Sequence, residues 1–343
     1  MKRATKTVAI LFGGRSCEHD VSVITATQVA AALPHGFSGL PVYIDRNGRF
    51  GVGKRGASPK DVARKKRTKS CFFRPDSPLL HIGARKIRID CALLCLHGGG
   101  GEDGSVQGYL ELAGVPYTSP GVAPSAIGMD KIACKLWLKG LGVHVAPGAW
   151  FDKAEFSTES DCKKVIERLE RLKYPLIVKP ATQGSSIGIA VAQEREGLFA
   201  ALEVALQFDN RILVEHVLPR AADINCSVVG QGGQATASVC EKPVKWEEIL
   251  SFEDKYLRPQ KGKAQKGGKG LEGRLPAPLA PAQTQEIQDT AKKIFLNLGC
   301  KGVIRIDFLV DEAGKVYVNE LNTIPGSLSG YLWAFEGKPL PSL

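Results

Sequence analysis

The feature that most constrains the fold of this chain is an alternation of strand-like and helix-like segments near its N-terminus. An apolar run at residues 7–12 is followed by a helix-like segment at 21–33 and a second apolar run at 41–44. Two parallel strands joined by a helix form a βαβ unit, in which the strands share one sheet. We therefore predict that the first 120 residues form an open, mainly parallel α/β domain.

The rest of the chain continues this alternation in two smaller regions, each resembling an α+β unit. Helix patterns lie at 129–141, 161–172, 196–207 and 283–298, and strand patterns lie at 175–180, 212–215 and 224–229. A chain of 343 residues is long enough to bury two or three separate cores. We predict three domains, at residues 1–120, 121–215 and 216–343.

The net charge of +11 raises the question of nucleic-acid binding, but the positive charge is concentrated in two segments. Residues 54–69 contain eight Lys and Arg against Asp61, and residues 255–274 contain seven against Glu272, so the rest of the chain is close to −2. Both segments lack apolar periodicity and are predicted to be exposed loops, and no aromatic stacking platform accompanies their charge. Nucleic-acid binding is therefore not expected as the main function.

Nine cysteines are spread along the chain, mostly in apolar stretches, and no CxxC pair occurs. This pattern indicates reduced thiols in a cytoplasmic protein rather than a disulfide framework or a structural zinc site. Cys91 and Cys95 lie in one strand-like apolar run and are expected to be buried. The N-terminal apolar run at 8–12 is too short for a signal peptide, and no run approaches the roughly 18 apolar residues of a membrane span.

The last two strand patterns have the sequence of an antiparallel hairpin. Segments 303–310 and 315–321 flank a Glu-Ala-Gly turn. A four-residue loop at 312–315 would place Asp307 opposite Glu320 across the two strands.

This hairpin brings together side chains that could bind a cation. Because side chains alternate between the two faces of a strand, Arg305 and Asp307 share one face, and Glu320 and Asn322 are predicted to join them. Mg²⁺ takes one or two carboxylates together with phosphate oxygens, which these residues would suit. A solvated hairpin face with cross-strand ion pairs is equally compatible with the same residues.

A lysine followed by a Gly/Ser loop gives a second candidate for phosphate binding. Lys179 ends the apolar run 176–178, and the loop 183–188 follows it. Backbone N–H groups of such a loop can bind phosphate oxygens while the lysine supplies charge. The spacing is not that of a Walker A motif, and an ordinary turn is the commoner role of such a loop.

Seven motifs, taken together and in order, resemble those of the D-alanine:D-alanine ligases of the ATP-grasp superfamily. They lie at residues 13–22, 97–104, 129–131, 179–188, 253–256, 305–307 and 319–326. The resemblance implies an N-terminal α/β domain followed by two α+β subdomains that sandwich ATP. It further implies that the chain joins two D-alanine molecules through a D-alanyl phosphate, to make the dipeptide of peptidoglycan precursors.

The resemblance also implies which residues bind ATP and two Mg²⁺ or Mn²⁺ ions. Lys131 and Lys179 would bind phosphates, Glu215 would contact adenine and Asp223 would contact ribose. Lys255 would close over the γ-phosphate from a mobile basic loop at 250–275. The full set implied for ATP is Lys131, Lys179, Ser185, Glu215, Asp223 and Lys255, and that for the metal ions is Asp307, Glu320 and Asn322.

For the amino-acid substrates, the resemblance implies that Glu18 holds the ammonium group of the first D-alanine, in a hydrogen-bonded set with Ser185 and Tyr256. Arg305 and the backbone N–H of Gly326 would face the oxyanion. Further substrate contacts are assigned to His97, Ser329, Tyr331 and Leu332. Glu18 could instead be a favourable charge at a helix N-terminus, and Glu102 and Asp103 could cap the helix that follows them.

One substrate position departs from the implied pattern. Tyr331 stands where a serine would bind the carboxylate of the second substrate, and Ser329 is the candidate to replace that serine. The chain also ends at Leu343, before the C-terminal helix that the resemblance implies, so a shortened or divergent member is one expectation. A ligase for another D-amino or D-hydroxy acid and a weakened ATP-binding relative stay open as alternatives. The resemblance also implies a homodimer.

Overall fold

A computed structural model describes residues 5–65, 68–243 and 275–342 of the chain. The chain divides into two compact units, and the division passes through both strands of the last hairpin. Unit 1 comprises Met1–Ala126, Ile224–Ile306 and Asn322–Leu343, and unit 2 comprises Ile127–Asp223 and Asp307–Leu321. The three-domain division made from the sequence stays a prediction.

Unit 1 begins with the βαβ unit that the sequence predicts. Strand β1 (Lys6–Gly13) pairs in parallel with β2 (Phe37–Ile44) and with β8 (Cys91–Leu94), and helix α1 (His19–Ala31) connects β1 to β2. Residues 8–13 of β1 are buried because strands flank it on both sides. Strands β3 (Phe50–Val52) and β4 (Lys69–Ser70) complete the sheet in the order β4-β3-β2-β1-β8.

The described basic residues of segment 54–69 are exposed, as the sequence predicts, but the segment is not a loop throughout. Its residues Pro59–Lys65 form helix α2, and Val62 is buried in the same core cluster as apolar residues of β1 and α1. One buried valine gives no periodic signal in the sequence, yet it is enough to hold a two-turn helix whose charged neighbours face solvent. A three-stranded antiparallel sheet follows, with β5 (Phe72–Arg74), β6 (Ser77–Ile82) and β7 (Arg85–Arg88).

Two short helices follow the glycine-rich motif at 97–104, and a third follows the hairpin of the last two strands. These are α3 (Ser105–Leu112), α4 (Val122–Met129) and, near the end of the chain, α9 (Gly330–Phe335). The basic loop predicted at 250–275 lies outside the described residues, apart from residue 275 itself.

The second sheet contains β13 (Ala222–Gln231), β14 (Gln234–Glu241), β15 (Gly302–Val310) and β16 (Val316–Asn322), in the order β14-β13-β15-β16. Helix α8 (Pro281–Asn297) lies against β14. Its buried residues Ile287, Ala291, Ile294 and Phe295 recur at helical spacing, so one apolar stripe faces the core.

Unit 2 contains a four-stranded antiparallel sheet with helices packed on it. Its elements in chain order are α5 (Lys131–Gly140), β9 (Gly148–Asp152), α6 (Glu159–Glu170), β10 (Leu176–Pro180), β11 (Ala190–Ala192), α7 (Arg195–Ala205) and β12 (Arg211–His216). The strand order is β11-β10-β12-β9. Val165 and Leu169 of α6 and Leu198 and Leu202 of α7 share one buried cluster with the sheet. This cluster fixes β10 and β12 side by side, which positions the charged residues at their ends.

None of the described helices is long and apolar enough to cross a membrane. All nine cysteines are free thiols. Cys95 is fully buried, as expected, whereas Cys91 is half-buried.

Candidate active site

A buried group of charges occupies the centre of unit 2. Glu215, on β12, is only 2% exposed, and its two carboxylate oxygens contact different ammonium groups. Lys135 Nζ lies 2.8 Å from Oε1, and Lys179 Nζ lies 2.7 Å from Oε2. Lys179 comes from β10, which pairs with β12, so the antiparallel register places the two side chains together. Lys135 comes from α5, one helical turn after Lys131.

The two lysines decide the protonation state of Glu215. Burial by itself would raise the pKa of Glu215, but the charges and hydrogen bonds of Lys135 and Lys179 lower it to about 2. Glu215 is therefore ionised at neutral pH, and the buried cluster carries a net positive charge. Burial also lowers the pKa of Lys131, against the opposing charge of Glu320. Glu320 therefore acts electrostatically on the same lysine cluster.

The hairpin of β15 and β16 contributes two consecutive residues to this cluster. Lys179 Nζ donates to Asn319 Oδ1 at 3.3 Å, and the next residue, Glu320, is the one that acts on Lys131. Strand geometry alone would direct consecutive side chains to opposite faces. The alternation of buried and half-buried residues in β16 is interrupted here, because Asn319 and Glu320 are both half-buried.

The regular strands of the hairpin end at Val310 and begin again at Val316, but the hydrogen-bonded turn between them is one residue shorter than predicted. The Asp311 N–H donates to Lys315 O at 3.1 Å, so the loop comprises only the three residues 312–314 instead of four. Gly314 has φ 82°, as a three-residue hairpin loop requires at its last position. The predicted pairing of Asp307 with Glu320 assumes a four-residue loop. This pairing stays a prediction.

The Gly/Ser loop between β10 and β11 contains residues in the left-handed backbone region. Ser185 and Ser186 both lie in the left-handed region, with φ of 52° and 60°. Gly188 follows with φ 67°, and a Cβ atom there would lie 2.7 Å from the Phe208 ring. Left-handed residues in a turn direct backbone N–H groups into concavities that bind anions. Lys131 Nζ donates to the Gln183 carbonyl oxygen of this loop.

Asp130 caps helix α5, which carries Lys131 and Lys135. Its side chain accepts hydrogen bonds from the Ile132 and Ala133 N–H groups at 2.9 and 3.0 Å, and it forms an ion pair with Arg211. The predicted helix at 129–141 is therefore interrupted at Asp130, because the cap starts a new helix at Lys131.

Unit 1 contains a second polar cluster, which joins the glycine-rich motif to the segment after β16. His97 Nε2 lies 2.8 Å from Thr25 Oγ1, and the Ser327 N–H donates to the same hydroxyl oxygen at 3.1 Å. Burial lowers the pKa of His97 to about 4, with a smaller effect in the same direction from Arg305. His97 is therefore neutral at physiological pH.

Glu102 holds the same two chain segments together. Its Oε2 accepts from the Gly98 N–H at 2.8 Å, and its Oε1 accepts from the Ile324 N–H at 3.0 Å. Desolvation raises the pKa of Glu102 to about 7, and the charge of Glu18 acts in the same direction, while the two N–H groups and Arg305 act against the rise. This carboxyl group titrates close to neutral pH.

Asp103 lies just before helix α3, whose N-cap residue is Gly104. Its carboxylate accepts from the Gly100 N–H at 2.7 Å and from the Ser105 N–H at 2.9 Å. Gly104 makes no side-chain capping bond, so neither Glu102 nor Asp103 is the N-cap residue, and within the helix Asp103 accepts only the N–H of the first residue.

Glu18 lies against the backbone of the glycine-rich motif. A Cβ atom on Gly98 would lie 2.6 Å from Glu18 Oε2 and 2.3 Å from Ser16 Oγ, and Gly98 itself has φ 69°. Only glycine meets both conditions without strain. Glu18 stands at the N-cap of α1 but makes no capping hydrogen bond with its side chain.

The segment after Gly326 has an unusual backbone. Ser327, Leu328 and Ser329 have φ of 52°, 51° and 51°, which are left-handed values that cost non-glycine residues about 1 kcal/mol or more each. Such strain is found mostly at functional sites. Among the described residues, the fully buried Ser329 Oγ has no hydrogen-bond partner.

Tyr331 and Leu332 have very different surroundings. The Tyr331 hydroxyl donates to Glu241 Oε2 at 2.6 Å, and the residue is 44% exposed. Glu241 also accepts from Asn225 Nδ2 at 3.2 Å. Leu332 is fully buried in the interior.

The remaining predicted residues divide into two groups. Lys255 and Tyr256 lie outside the described residues. Asp223, Arg305, Asp307, Glu320 and Asn322 are described and half-buried, while Gly326 is exposed. Within the described ranges, no three His, Cys, Asp or Glu side chains come together as a metal site; the predicted set has two carboxylates and one amide.

Sequence reasoning missed Lys135, Glu241 and the role of Thr25. Lys135 had a signal, because it follows Lys131 by four residues and so shares its helix face. Glu241 and Thr25 had none, because each acts through a residue far away in the sequence.

Comparison with known proteins points to one family along most of the chain. The family described as D-ala D-ala ligase N-terminus matches residues 7–120, and the one described as D-ala D-ala ligase C-terminus matches residues 137–338. A D-alanine--D-alanine ligase from Thermosipho africanus is 36% identical, covering 96% of this chain and 89% of that relative. Another, from Pelodictyon phaeoclathratiforme, is 35% identical, covering 98% and 95%.

Solved structures agree with the sequence relatives. The D-alanine-D-alanine ligase from Coxiella burnetii has a TM-score of 0.83 and 26% identity, covering 99% of this chain and 92% of that one. The VanG D-Ala:D-Ser ligase from Enterococcus faecalis also has a TM-score of 0.83 and 26% identity, covering 98% and 97%. The predicted α/β, ATP-grasp fold is confirmed by these structures. The chain belongs to the D-alanine–D-alanine ligase family.

Proposed function

We propose that this chain uses ATP to join two molecules of D-alanine through a D-alanyl phosphate, supplying the dipeptide of peptidoglycan precursors. The observation that carries the proposal is the buried lysine cluster of unit 2 beside the left-handed Gly/Ser loop. A cluster with excess positive charge is suited to the phosphates of ATP. The 36% identity to a D-alanine--D-alanine ligase over nearly the whole chain specifies the reaction.

In this mechanism, Lys131 and Lys179 neutralise the phosphates while the loop N–H groups around Ser185 hold them. In phosphoryl transfer to a carboxylate, the protein contributes mainly by positioning the reacting groups and neutralising their charge. Asp223 is assigned to the ribose and Lys255 to the γ-phosphate. Glu215 is assigned to the adenine, although both of its oxygens contact lysines, so its direct effect is on the orientation of Lys179.

The proposed metal ligands are Asp307, Glu320 and Asn322. Two carboxylates and an amide oxygen are suitable ligands for Mg²⁺ or Mn²⁺ that is also bound by phosphate. The electrostatic effect of Glu320 on Lys131 supports this placement, because a metal-bound phosphate needs both groups nearby. Bound ions would supply charge neutralisation at the phosphates.

The polar cluster of unit 1 is assigned to the amino-acid substrates. Glu18 would accept the ammonium group of the first D-alanine, together with Ser185 and Tyr256. Arg305 and the Gly326 N–H would stabilise the oxyanion when the second amine attacks. A Cβ at Gly326 would meet no atom within 4 Å, which leaves room for a substrate at its backbone.

Ser329 is the proposed contact for the carboxylate of the second substrate. Its buried hydroxyl lacks a partner among the described residues, and a buried polar group gains by acquiring one. The Tyr331 hydroxyl donates to Glu241, so Tyr331 is assigned to the wall of the second-substrate pocket. Leu332 is assigned to the same wall. His97 is assigned to the same substrate region, where its neutral ring and Thr25 support the turn at Ser327.

Two further assignments belong to the proposal. The nine free thiols support a cytoplasmic location. A homodimer is the proposed assembly.

The test is to incubate the protein with Mg·ATP and pairs drawn from D-alanine, D-serine, D-lactate and L-alanine, and to identify products by mass. We expect D-alanyl-D-alanine together with one phosphate per dipeptide, and no product from L-alanine. Binding of Mg·ATP without phosphate release in response to any D-amino acid would contradict the proposal. D-alanyl-D-serine as the main product would instead correct the second substrate.

A further inference from the structure

Lys135 is a buried cation with no role in the mechanism above. Its side chain is 7% exposed, and its ammonium group lies 2.8 Å from Glu215 Oε1. The same ammonium donates a hydrogen bond to the Val318 carbonyl oxygen at 3.2 Å. Val318 N–H in turn donates to the His144 carbonyl oxygen. Lys135 is therefore fixed between helix α5 and strands β12 and β16.

Without Lys135, Lys179 would have to pair with Glu215 and bind a nucleotide phosphate at the same time. In the structure it is the partner of Glu215 Oε2 and also donates to Asn319. In the proposed reaction it must direct its charge to a phosphate. A carboxylate that loses its cation while 2% exposed must either take up a proton or remain as an uncompensated buried charge.

We infer that Lys135 is a positioning residue that keeps Glu215 ionised while Lys179 is engaged on the nucleotide phosphate. Each carboxylate oxygen has its own lysine, so one ion pair persists when the other is given up. The inference rests on the proposed function, since it presumes that Lys179 binds phosphate. The cations that act on Glu215 are Lys135 from α5, Lys179 from β10 and, at longer range, Lys131 from α5.

The inference predicts a proton-coupled binding equilibrium in a variant without this charge. In Lys135→Gln, Glu215 still pairs with Lys179 before the nucleotide binds. When Lys179 turns to the phosphate, Glu215 must take up a proton, because desolvation favours the neutral acid. Binding that takes up one proton weakens as the pH rises, by about tenfold per pH unit.

The experiment is calorimetric titration with the magnesium complex of a non-hydrolysable ATP analogue, in buffers of different ionisation enthalpy, between pH 7 and pH 9. We expect Lys135→Gln to take up about one proton more than the wild type on binding. Its dissociation constant at pH 8 should be about tenfold higher or more, with a steeper rise toward pH 9. Lys135→Arg, which retains the charge, should restore the wild-type proton balance.

Two further variants separate this role from a purely structural one. Lys139→Gln removes an exposed lysine from the same helix and should behave as the wild type. Lys135→Met/Glu215→Gln removes both charges, so it should bind without additional proton uptake and more tightly than Lys135→Met alone. This double variant also serves if the single variants fold poorly.

The outcomes distinguish the inference from the proposed function. A wild-type protein that does not bind the magnesium–nucleotide complex would overturn both. A wild type that binds, with a Lys135→Gln variant that takes up no additional proton, would overturn the inference alone. Loss of affinity in Lys135→Gln without proton uptake would also overturn it, because Lys179 would then have remained on Glu215.

Discussion

His97 and Glu102 have pKa values displaced in opposite directions, and each displacement links folding stability to pH. Burial lowers the pKa of His97 to about 4, so between pH 4 and pH 6.5 the unfolded chain binds more protons and stability rises with pH. Desolvation raises the pKa of Glu102 to about 7, so between pH 4.5 and pH 7 the folded chain binds more protons and stability falls as the pH rises. The two effects oppose each other from about pH 4.5 to pH 6.5.

Single substitutions should expose each effect. In His97→Asn the Glu102 effect remains, so the free energy of unfolding should fall between pH 5 and pH 7, by up to about 1.4 kcal/mol per pH unit. In Glu102→Gln the His97 effect remains, and the free energy of unfolding should rise from pH 4.5 to pH 6.5. Urea titrations at a series of pH values measure both slopes. Two variants with the same slope as the wild type would show that neither group is displaced.

The sequence identified His97 and Glu18 through motifs, but not what they touch. The contact of Glu18 with Gly98 depends on a glycine at φ 69°, and its motif shows the glycine without showing the angle. Glu215 was assigned to adenine by resemblance, whereas its contacts with Lys135 and Lys179 depend on how β10 and β12 are paired. The motifs name candidate residues, whereas the contacts of those residues depend on backbone angles and strand pairing that the sequence does not show.

Helix α5 carries two of the cluster lysines, so the stability of its first turn should affect nucleotide binding. Asp130→Ala removes the acceptor for the Ile132 and Ala133 N–H groups, and we expect a loss of about 1–2 kcal/mol in the free energy of unfolding together with a higher KM for ATP. Urea unfolding and initial rates at varied ATP measure the two effects. Asp130→Asn is the matched control, because an amide oxygen can still cap the helix. Equal damage in both variants would assign the stabilisation to the ion pair with Arg211.

At the scale of elements, strongly periodic segments were predictable and short irregular ones were not. Strands β1 and β15 and helix α6 lie within about two residues of the sequence patterns. The hairpin loop was misjudged by one residue because its length is set by the Asp311–Lys315 hydrogen bond. Helix α2 was missed because its only large buried aliphatic side chain is Val62.

At the scale of the whole molecule, the order of the motifs indicated the family before any geometry was known. The two compact units could not be predicted from the order of the motifs, because each unit is assembled from separate stretches of the chain. The boundary between the units passes through β15 and β16, the strands that carry the proposed metal ligands. A ligand that binds only the folded chain stabilises it.

Nucleotide binding should therefore raise the melting temperature of the protein, and the metal ion should account for part of the increase. ATP at about 100 times its dissociation constant adds about 2.7 kcal/mol to the free energy of unfolding, since it binds the folded chain alone. We expect Mg·ATP to raise the melting temperature by several degrees, and EDTA to remove much of that increase. Differential scanning calorimetry of the wild type and of Glu320→Gln measures the metal-dependent part. Because Glu320 is assigned to the ion, Glu320→Gln should retain the ATP increment and lose the Mg²⁺ increment. An unchanged Mg²⁺ increment in this variant would show that the metal assignment of Glu320 is wrong.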